Sequence, residues 1–276
     1  MTPGATLIDG SGTERARCVL APNPSLMTLD GTNTWLIGAP DAPAVVVVDP
    51  GPDDESHLDR IAAIAGEHDK RVGVILLTHA HPDHADGART LAERTGAQVR
   101  AVDRAHRLGP EGLPPGAVLT VAGCEMEVIA TPGHSADSVC LYVREDRAVL
   151  TGDTVLGRGT TVIGPDGDLA DYLGSLATLR ELAGTTELAA LLPGHGPLLA
   201  DPVGALDYYI THRHERLAEV RAALAAGDRT MGEIVARVYA DVDRALWPFA
   251  ELSLRAQLRY LGDRDELPSD MAPAAG

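Results

Sequence analysis

Thr78-His79-Ala80-His81-Pro82-Asp83-His84 follows directly on the apolar run Val74–Leu77. That run has the length and the Val/Ile content of a buried strand, so the heptapeptide begins where a strand ends. His79 and His81 are two apart, and extended backbone sends both rings to the same side. Pro82 bends the chain, and Asp83 and His84 open the next helix. Four potential metal-ligating side chains therefore converge within six residues. Imidazole with carboxylate suits zinc, and also iron or manganese. A coincidental polar loop would leave several unpaired polar groups at the end of a buried strand, which is costly.

Three other segments share the layout. Ile129-Ala130-Thr131-Pro132-Gly133-His134 and Leu191-Leu192-Pro193-Gly194-His195 each run from an apolar strand through a Pro-Gly turn to a histidine. Ala148-Val149-Leu150-Thr151-Gly152-Asp153 ends in an aspartate instead. One Pro-Gly-His would read as a turn with a surface histidine. Four strand ends that each deliver a ligand-type side chain read as a metal centre.

Outward from these motifs, short apolar runs alternate with helical patterns. Runs at 34–37, 44–48, 99–102, 127–130, 139–143, 148–150 and 189–192 join 74–77 as strands, with one edge strand within residues 1–30. Glu55–His68, His84–Arg94 and Leu169–Leu182 read as helices between them. This is an α/β pattern, with sheets covered by helices. After Pro202 the texture changes. Leu206, Ile210, Arg213, Leu217, Val220 and Leu224 recur at intervals of three and four, as on a long amphipathic helix. Two more helices follow, one carrying Met231, Ile234, Val235 and Val238, the other Leu254, Leu258 and Leu261. The expected organisation is a large α/β domain at 1–204, a helical domain at 205–264 and a flexible tail at 265–276.

Composition limits the partners. The 276 residues carry 40 acids against 23 bases, a formal net charge of −17. Such a surface repels phosphate backbones at long range, which disfavours DNA. Residues 205–276 have a net charge of −3, and neither part of the chain shows a basic stripe. Cys18, Cys124 and Cys140 are odd in number and scattered, as in a reduced compartment, and all three read as small buried apolar residues. With neither a secretory signal nor a membrane span in the pattern, a cytoplasmic location is expected.

The arrangement resembles the metallo-β-lactamase-fold hydrolases. His79, His81, Asp83, His84, His134, Asp153 and His195 match that family's seven ligand positions, and none departs from the dinuclear pattern. The resemblance covers roughly residues 30–200 and implies an αββα sandwich with two divalent ions, zinc first among them, between the strand ends. By carry-over, His79, His81 and His134 hold one ion, Asp83, His84 and His195 the other, and Asp153 bridges them. A narrower likeness rests on Asn23–Trp35 and on Tyr209-Ile210-Thr211-His212-Arg213. These look like the beta-lactamase-like protein 2 subgroup, in which a small winged-helix-like domain follows the core. Some members cut single-stranded RNA, and fungal relatives are thioesterases.

The resemblance implies a hydrolase that uses a metal-bridging hydroxide, with Asp83 as the catalytic carboxylate that orients the nucleophile and moves its proton. The first expectation is an endoribonuclease or phosphodiesterase acting on short single-stranded RNA. The second is a small-molecule ester or thioester hydrolase, of thioesterase, glyoxalase II-like or lactonase type, with the helical domain a protein-contact module in a possible homodimer. True β-lactamase action is disfavoured, because Asp153 stands where the common zinc β-lactamases carry a Cys ligand. Asp49, at the end of the Val45–Val48 run, is expected to orient a ligand or the metal-binding loop; Thr78 and Thr131 could make similar bonds. Asn33 and Thr32 read as surface turn residues or as part of the substrate edge. His212 reads as a solvated helix residue or as one reaching the metal cleft. His57, His68 and His106 read as surface residues.

Overall fold

The computed structural model describes residues 8–271, the side chain of His68 excepted. Two five-stranded sheets face one another. The first contains β1 (Ala16–Leu20), β2 (Asn33–Ile37), β3 (Ala44–Val48), β4 (Arg71–Leu76) and β5 (Gln98–Arg100), in that order. The second contains β6 (Val118–Val121), β7 (Cys124–Ala130), β8 (Val139–Val143), β9 (Ala148–Gly152) and β10 (Ala190–Pro193), in the order β10-β9-β8-β7-β6. Within the first sheet β3, β4 and β5 run parallel, and so do β9 and β10 in the second. The other pairings are antiparallel.

The apolar runs follow from burial on both faces. Val46 and Val48 of β3 point between the sheets, against Met126, Leu141 and Leu150, while Val45 and Val47 face outward. The outward face of the first sheet is covered by α1 (Glu55–Ala65) and α3 (Gly87–Thr95), through Leu58, Ile61 and Leu91. A short α2 (Pro82–Ala85) precedes α3, so the single helix expected from His84 is broken in two. On the second sheet, Cys140 and Tyr142 alternate with the inward Val139, Leu141 and Val143, and meet Leu176 and Leu179 of α4 (Leu169–Thr186). The result is the αββα layering. The hairpin strand β6 had no counterpart in the sequence reading. It is an edge strand, joined to β7 by Ala122 and Gly123, both at positive φ (52° and 71°), as a tight two-residue hairpin requires.

Three further helices complete the chain: α5 (Pro202–Ala225), α6 (Met231–Val238) and α7 (Trp247–Gly262). Their apolar faces join the cluster around α4, so Leu217, Val220, Ile234, Leu254 and Leu261 share one core with Tyr172 and Leu191. Thr230 and Glu233 form a reciprocal capping box at the start of α6. The tail expected to be flexible is tied down over residues 265–271. Leu267 and Met271 pack on the core, Glu266 meets Arg221 at 2.5 Å, and Asp270 meets Arg229 at 2.8 Å. Residues 272–276 lie outside the described part. No described helix is long and apolar enough to cross a membrane, and the three cysteines are unpaired and buried.

His57 is not a surface residue. It is 2% exposed, and its Nε2 lies 2.9 Å from Thr34 Oγ1. That hydroxyl donates to the Asp49 carbonyl, so it accepts from His57 Nε2–H. Burial, reinforced by Arg60, pushes the imidazole down to about 4. The native state therefore resists a proton that the unfolded chain accepts at its ordinary pKa of about 6.5. Stability from this group is complete above pH 6.5 and is lost as the pH falls toward 4, by about 3 kcal/mol in all. His57→Gln keeps an N–H donor without the titration. Urea unfolding at pH 7 and pH 4 should show the acid-induced loss shrink by about that amount.

Candidate metal centre

The ends of β4, β7, β9 and β10 open on one edge of the sandwich, and each carries its motif there. Two glycines permit the close approach. Gly133 has φ +131°, and a Cβ on it would lie 2.3 Å from the Tyr172 backbone at the start of α4. A Cβ on Gly194 would lie 2.6 Å from Asp153 Oδ1 and 2.7 Å from His84 Cε1. Gly194→Ala should therefore spread the cluster. The expected result is weaker uptake of added divalent metal, read by elemental analysis, by a protein that still folds by circular dichroism.

The motif histidines gather into two groups. His79 Nε2 and His134 Nε2 lie 3.1 and 3.0 Å from His81 Nδ1. His84 Nε2 lies 3.2 Å from His195 Nε2, which is 3.2 Å from Asp83 Oδ2. Asp153 stands between the groups, with Oδ1 3.4 Å from His84 Nε2, and Oδ2 3.4 Å from His195 Nε2 and 3.7 Å from His134 Nε2. The structure thus brings together all seven ligand-type side chains named from the sequence. His79, His81 and His134 could hold one ion and Asp83, His84 and His195 another, with Asp153 in reach of both.

The other nitrogen of every ring is already engaged. His134 Nδ1 meets the Val162 carbonyl at 2.9 Å, and His195 Nδ1 the Gly31 carbonyl at 3.2 Å. His84 Nδ1 meets Asp49 Oδ2 at 2.9 Å, and His81 Nε2 meets Asp166 Oδ2 at 2.8 Å. Thr78 Oγ1 donates to Asp49 Oδ2 at 2.6 Å, so it accepts from His79 Nδ1 at 3.0 Å. Each outer nitrogen therefore carries the hydrogen, and in the neutral ring the inner nitrogen presents a lone pair. Five such lone pairs facing one another at these separations repel unless positive charge lies among them. Asp153 Oδ1 is buried and accepts no hydrogen bond. The donor set and this oxygen fit divalent cations, and outer partners that fix the ring tautomers are what metal-ligating histidines carry.

The titration tendencies say the same. Burial drives His79 and His134 down, His79 well below its usual range. Burial works against charge on His84 and His195 too, but Asp153 overcomes it, placing His84 well above its ordinary value and His195 at about 9. Burial would raise the Asp153 carboxyl, yet His195 and His84 hold it well below the usual carboxylate range. The site demands positive charge, as protons or as metal ions.

Asp49 sits at the end of β3 in the left-handed region, φ +51°. Its carboxylate accepts from Thr78 N at 2.8 Å, from Thr78 Oγ1 and from His84 Nδ1, so one side chain orients a ligand of each group. Thr131 makes no hydrogen bond to any of the seven; its hydroxyl bonds Cys140 and Thr154 instead. Asn33 and Thr32 are fully buried rather than on a surface turn. Asn33 Nδ2 donates to the carbonyls of Pro193 and Gly196 at 2.9 and 2.8 Å, clamping the loop that carries His195. His212, on α5, is half-buried beside the cluster and lines a cavity with His134 and Asp153. Asp166 and the carbonyls of Val162 and Gly31 were not foreseen from the sequence.

Comparison with known proteins agrees with this geometry. Residues 27–195 match the model of the metallo-beta-lactamase superfamily, and residues 230–275 that of the beta-lactamase associated winged helix domain. Among the described residues that C-terminal part is helical, with no strand. The chain is 32% identical over 232 residues to the beta-lactamase-like protein 2 homolog of Caenorhabditis elegans, covering 81% of this chain and 76% of that one. It is 31% identical over 252 residues to the atrochrysone carboxyl ACP thioesterase of Aspergillus fumigatus, covering 84% and 77%. A solved beta-lactamase domain protein from Burkholderia ambifaria shares the fold, with a TM-score of 0.75 at 24% identity, covering 91% of this chain and 86% of that one. With a family match running through every strand end that bears a ligand-type side chain, the chain belongs to the metallo-beta-lactamase superfamily, in the group of the beta-lactamase-like protein 2 homologues.

Proposed function

We propose that this hydrolase cleaves ester or thioester bonds of small acyl substrates, using two zinc ions held by the seven side chains described above. The observation that carries this reading is the cavity beside the cluster. It measures about 310 Å³ and has His134 and Asp153 at one end. Leu29, Leu156, Val242, Leu246 and Phe249 supply an apolar part of its lining, and Arg158, His212, Arg213 and Arg216 a polar part. That volume suits a small ligand or an acyl group. A single-stranded RNA chain would need an open basic groove with aromatic platforms, and the chain is 3% aromatic with a net charge of −17. The relative named as an acyl carrier protein thioesterase supports the same choice.

Zinc bound here would supply an activated water near neutral pH and polarise the substrate carbonyl. The remaining work falls to the chain. Asp83 is the half-buried carboxylate of the set, and Oδ2 points at His195 Nε2. Burial raises its carboxyl, but His195 and His84 beside it outweigh this and hold it below the usual carboxylate range, so it stays ionised, and the oxygen that would not hold the ion is able to accept a proton and pass it toward the leaving group.

The test is to offer zinc-loaded protein a series of acyl thioesters and a labelled single-stranded RNA, each with and without chelator. Chelator-sensitive thioester turnover, with kcat/KM rising with acyl length until the cavity is full, is the expected result. Chelator-sensitive RNA cleavage without thioester turnover would overturn the reading in favour of the phosphodiesterase alternative.

A further inference from the structure

Arg213 lies on α5 in the same register as Leu206, Tyr209, Leu217 and Val220, and it is 3% exposed. Among the described residues no carboxylate lies within ion-pair distance of it. Arg15, Arg100 and Arg216, also withdrawn from solvent, each meet one: Asp146, Glu111 and Asp241. The Arg213 guanidinium instead donates through Nη2 to the Thr161 carbonyl at 2.5 Å and stacks 4.9 Å from the centre of the Tyr172 ring. Its Nε is buried and meets no protein acceptor. The adjacent His212 Nδ1 is buried and unpartnered as well. Both side chains line the cavity that ends at His134 and Asp153.

A desolvated guanidinium without a counter-charge is expensive, and the expense is removed by an anion beside it. The position is close to the metal cluster. Thr161, whose carbonyl holds Arg213, bonds the Asp153 backbone through its hydroxyl, and the next carbonyl, that of Val162, holds His134. Burial, with Arg213 and Arg216 alongside, pushes His212 down to about 4, so at neutral pH it offers hydrogen bonding without charge.

We infer that Arg213, with His212 beside it, is a receptor for a carboxylate on the acyl part of the substrate, so that the cavity selects acyl groups bearing a second anionic centre. The inference rests on the acyl-hydrolase reading above. It assigns the α5 face a role in specificity in place of a contact with nucleic acid or protein. Arg213 would act by positioning, and a merely structural brace for the Thr161–Val162 loop would affect all substrates alike.

The experiment compares succinyl and butanoyl thioesters of N-acetylcysteamine, which differ by carboxylate against methyl. The zinc-loaded protein should prefer the succinyl ester in kcat/KM by at least tenfold. Arg213→Met should lower that ratio at least tenfold, whatever its absolute rate, and Arg213→Lys should restore part of it. An unchanged ratio in Arg213→Met, with both substrates slowed equally, overturns the inference. If neither thioester is cleaved, the acyl-hydrolase reading fails by itself. Calorimetric binding of succinate and butanoate to wild type and Arg213→Met then decides the receptor separately. Succinate binding at least tenfold tighter than butanoate, with the margin lost in Arg213→Met, supports it, and equal binding refutes it.

Discussion

Asp153→Asn should lower hydrolysis by about three orders of magnitude and remove at least one zinc ion per chain. The carboxylate is within reach of both histidine clusters, at 3.4 Å from His84 and His195 and 3.7 Å from His134. An amide has the same shape but no charge, so two cations held side by side would repel with nothing between them to offset it. Its nitrogen would also present hydrogens where a metal needs a lone pair. Because burial of the native carboxylate is offset only by the positive charge around it, the zinc-free variant should be no less stable than the zinc-free wild type. Zinc stoichiometry, turnover and thermal unfolding with and without chelator together check this. Full metal content in Asp153→Asn would show that the carboxylate is not a ligand.

Asp49→Ala should weaken zinc binding by about 10–100-fold without removing any ligand, the usual penalty for losing a group that orients metal-bound histidines. Three hydrogen bonds end on this carboxylate, and they hold His84 directly and His79 through Thr78. Alanine also strains the backbone, since φ is +51° at this position and Thr34 fastens the carbonyl there. Asp49→Asn separates the two effects. Asparagine tolerates the left-handed conformation and keeps one acceptor oxygen, so its loss should be smaller. A competition titration against a chromophoric chelator measures both. Equal affinity in Asp49→Ala and wild type would mean that the rings are held by packing alone.

How far the site could be read from sequence depended on which atoms do the work. Ligating side chains at strand ends are legible, because strands buried on both faces leave the heptapeptide at 78–84 and the Pro-Gly-His turns as isolated polar punctuation. Asp49 is legible for the same reason. The groups on the outer ring nitrogens are mostly not. Val162 and Gly31 act through backbone carbonyls, which no residue type announces, and Asp166 reaches His81 from the turn Gly164-Pro165-Asp166-Gly167, 85 positions away. His57 and Asn33 looked like surface residues because their burial arises from tertiary contacts, with Thr34 and with the loop around Gly194. Arg213 did leave a signal. It falls in the apolar register of α5, where an arginine must be buried, and that register outweighs the polar neighbours that suggested a solvated face. The edge strand β6 was missed because only its pairing with β7 distinguishes it from a loop.

Elemental analysis of chain stripped with chelator, reloaded with excess zinc and desalted tests the central claim most directly, namely that the converging lone pairs of five histidines, with Asp83 and Asp153, form a cage for two cations. The account predicts two equivalents of zinc per chain, falling when His79 or His195 is replaced by alanine. A chain that takes up one equivalent or none under these conditions contradicts it.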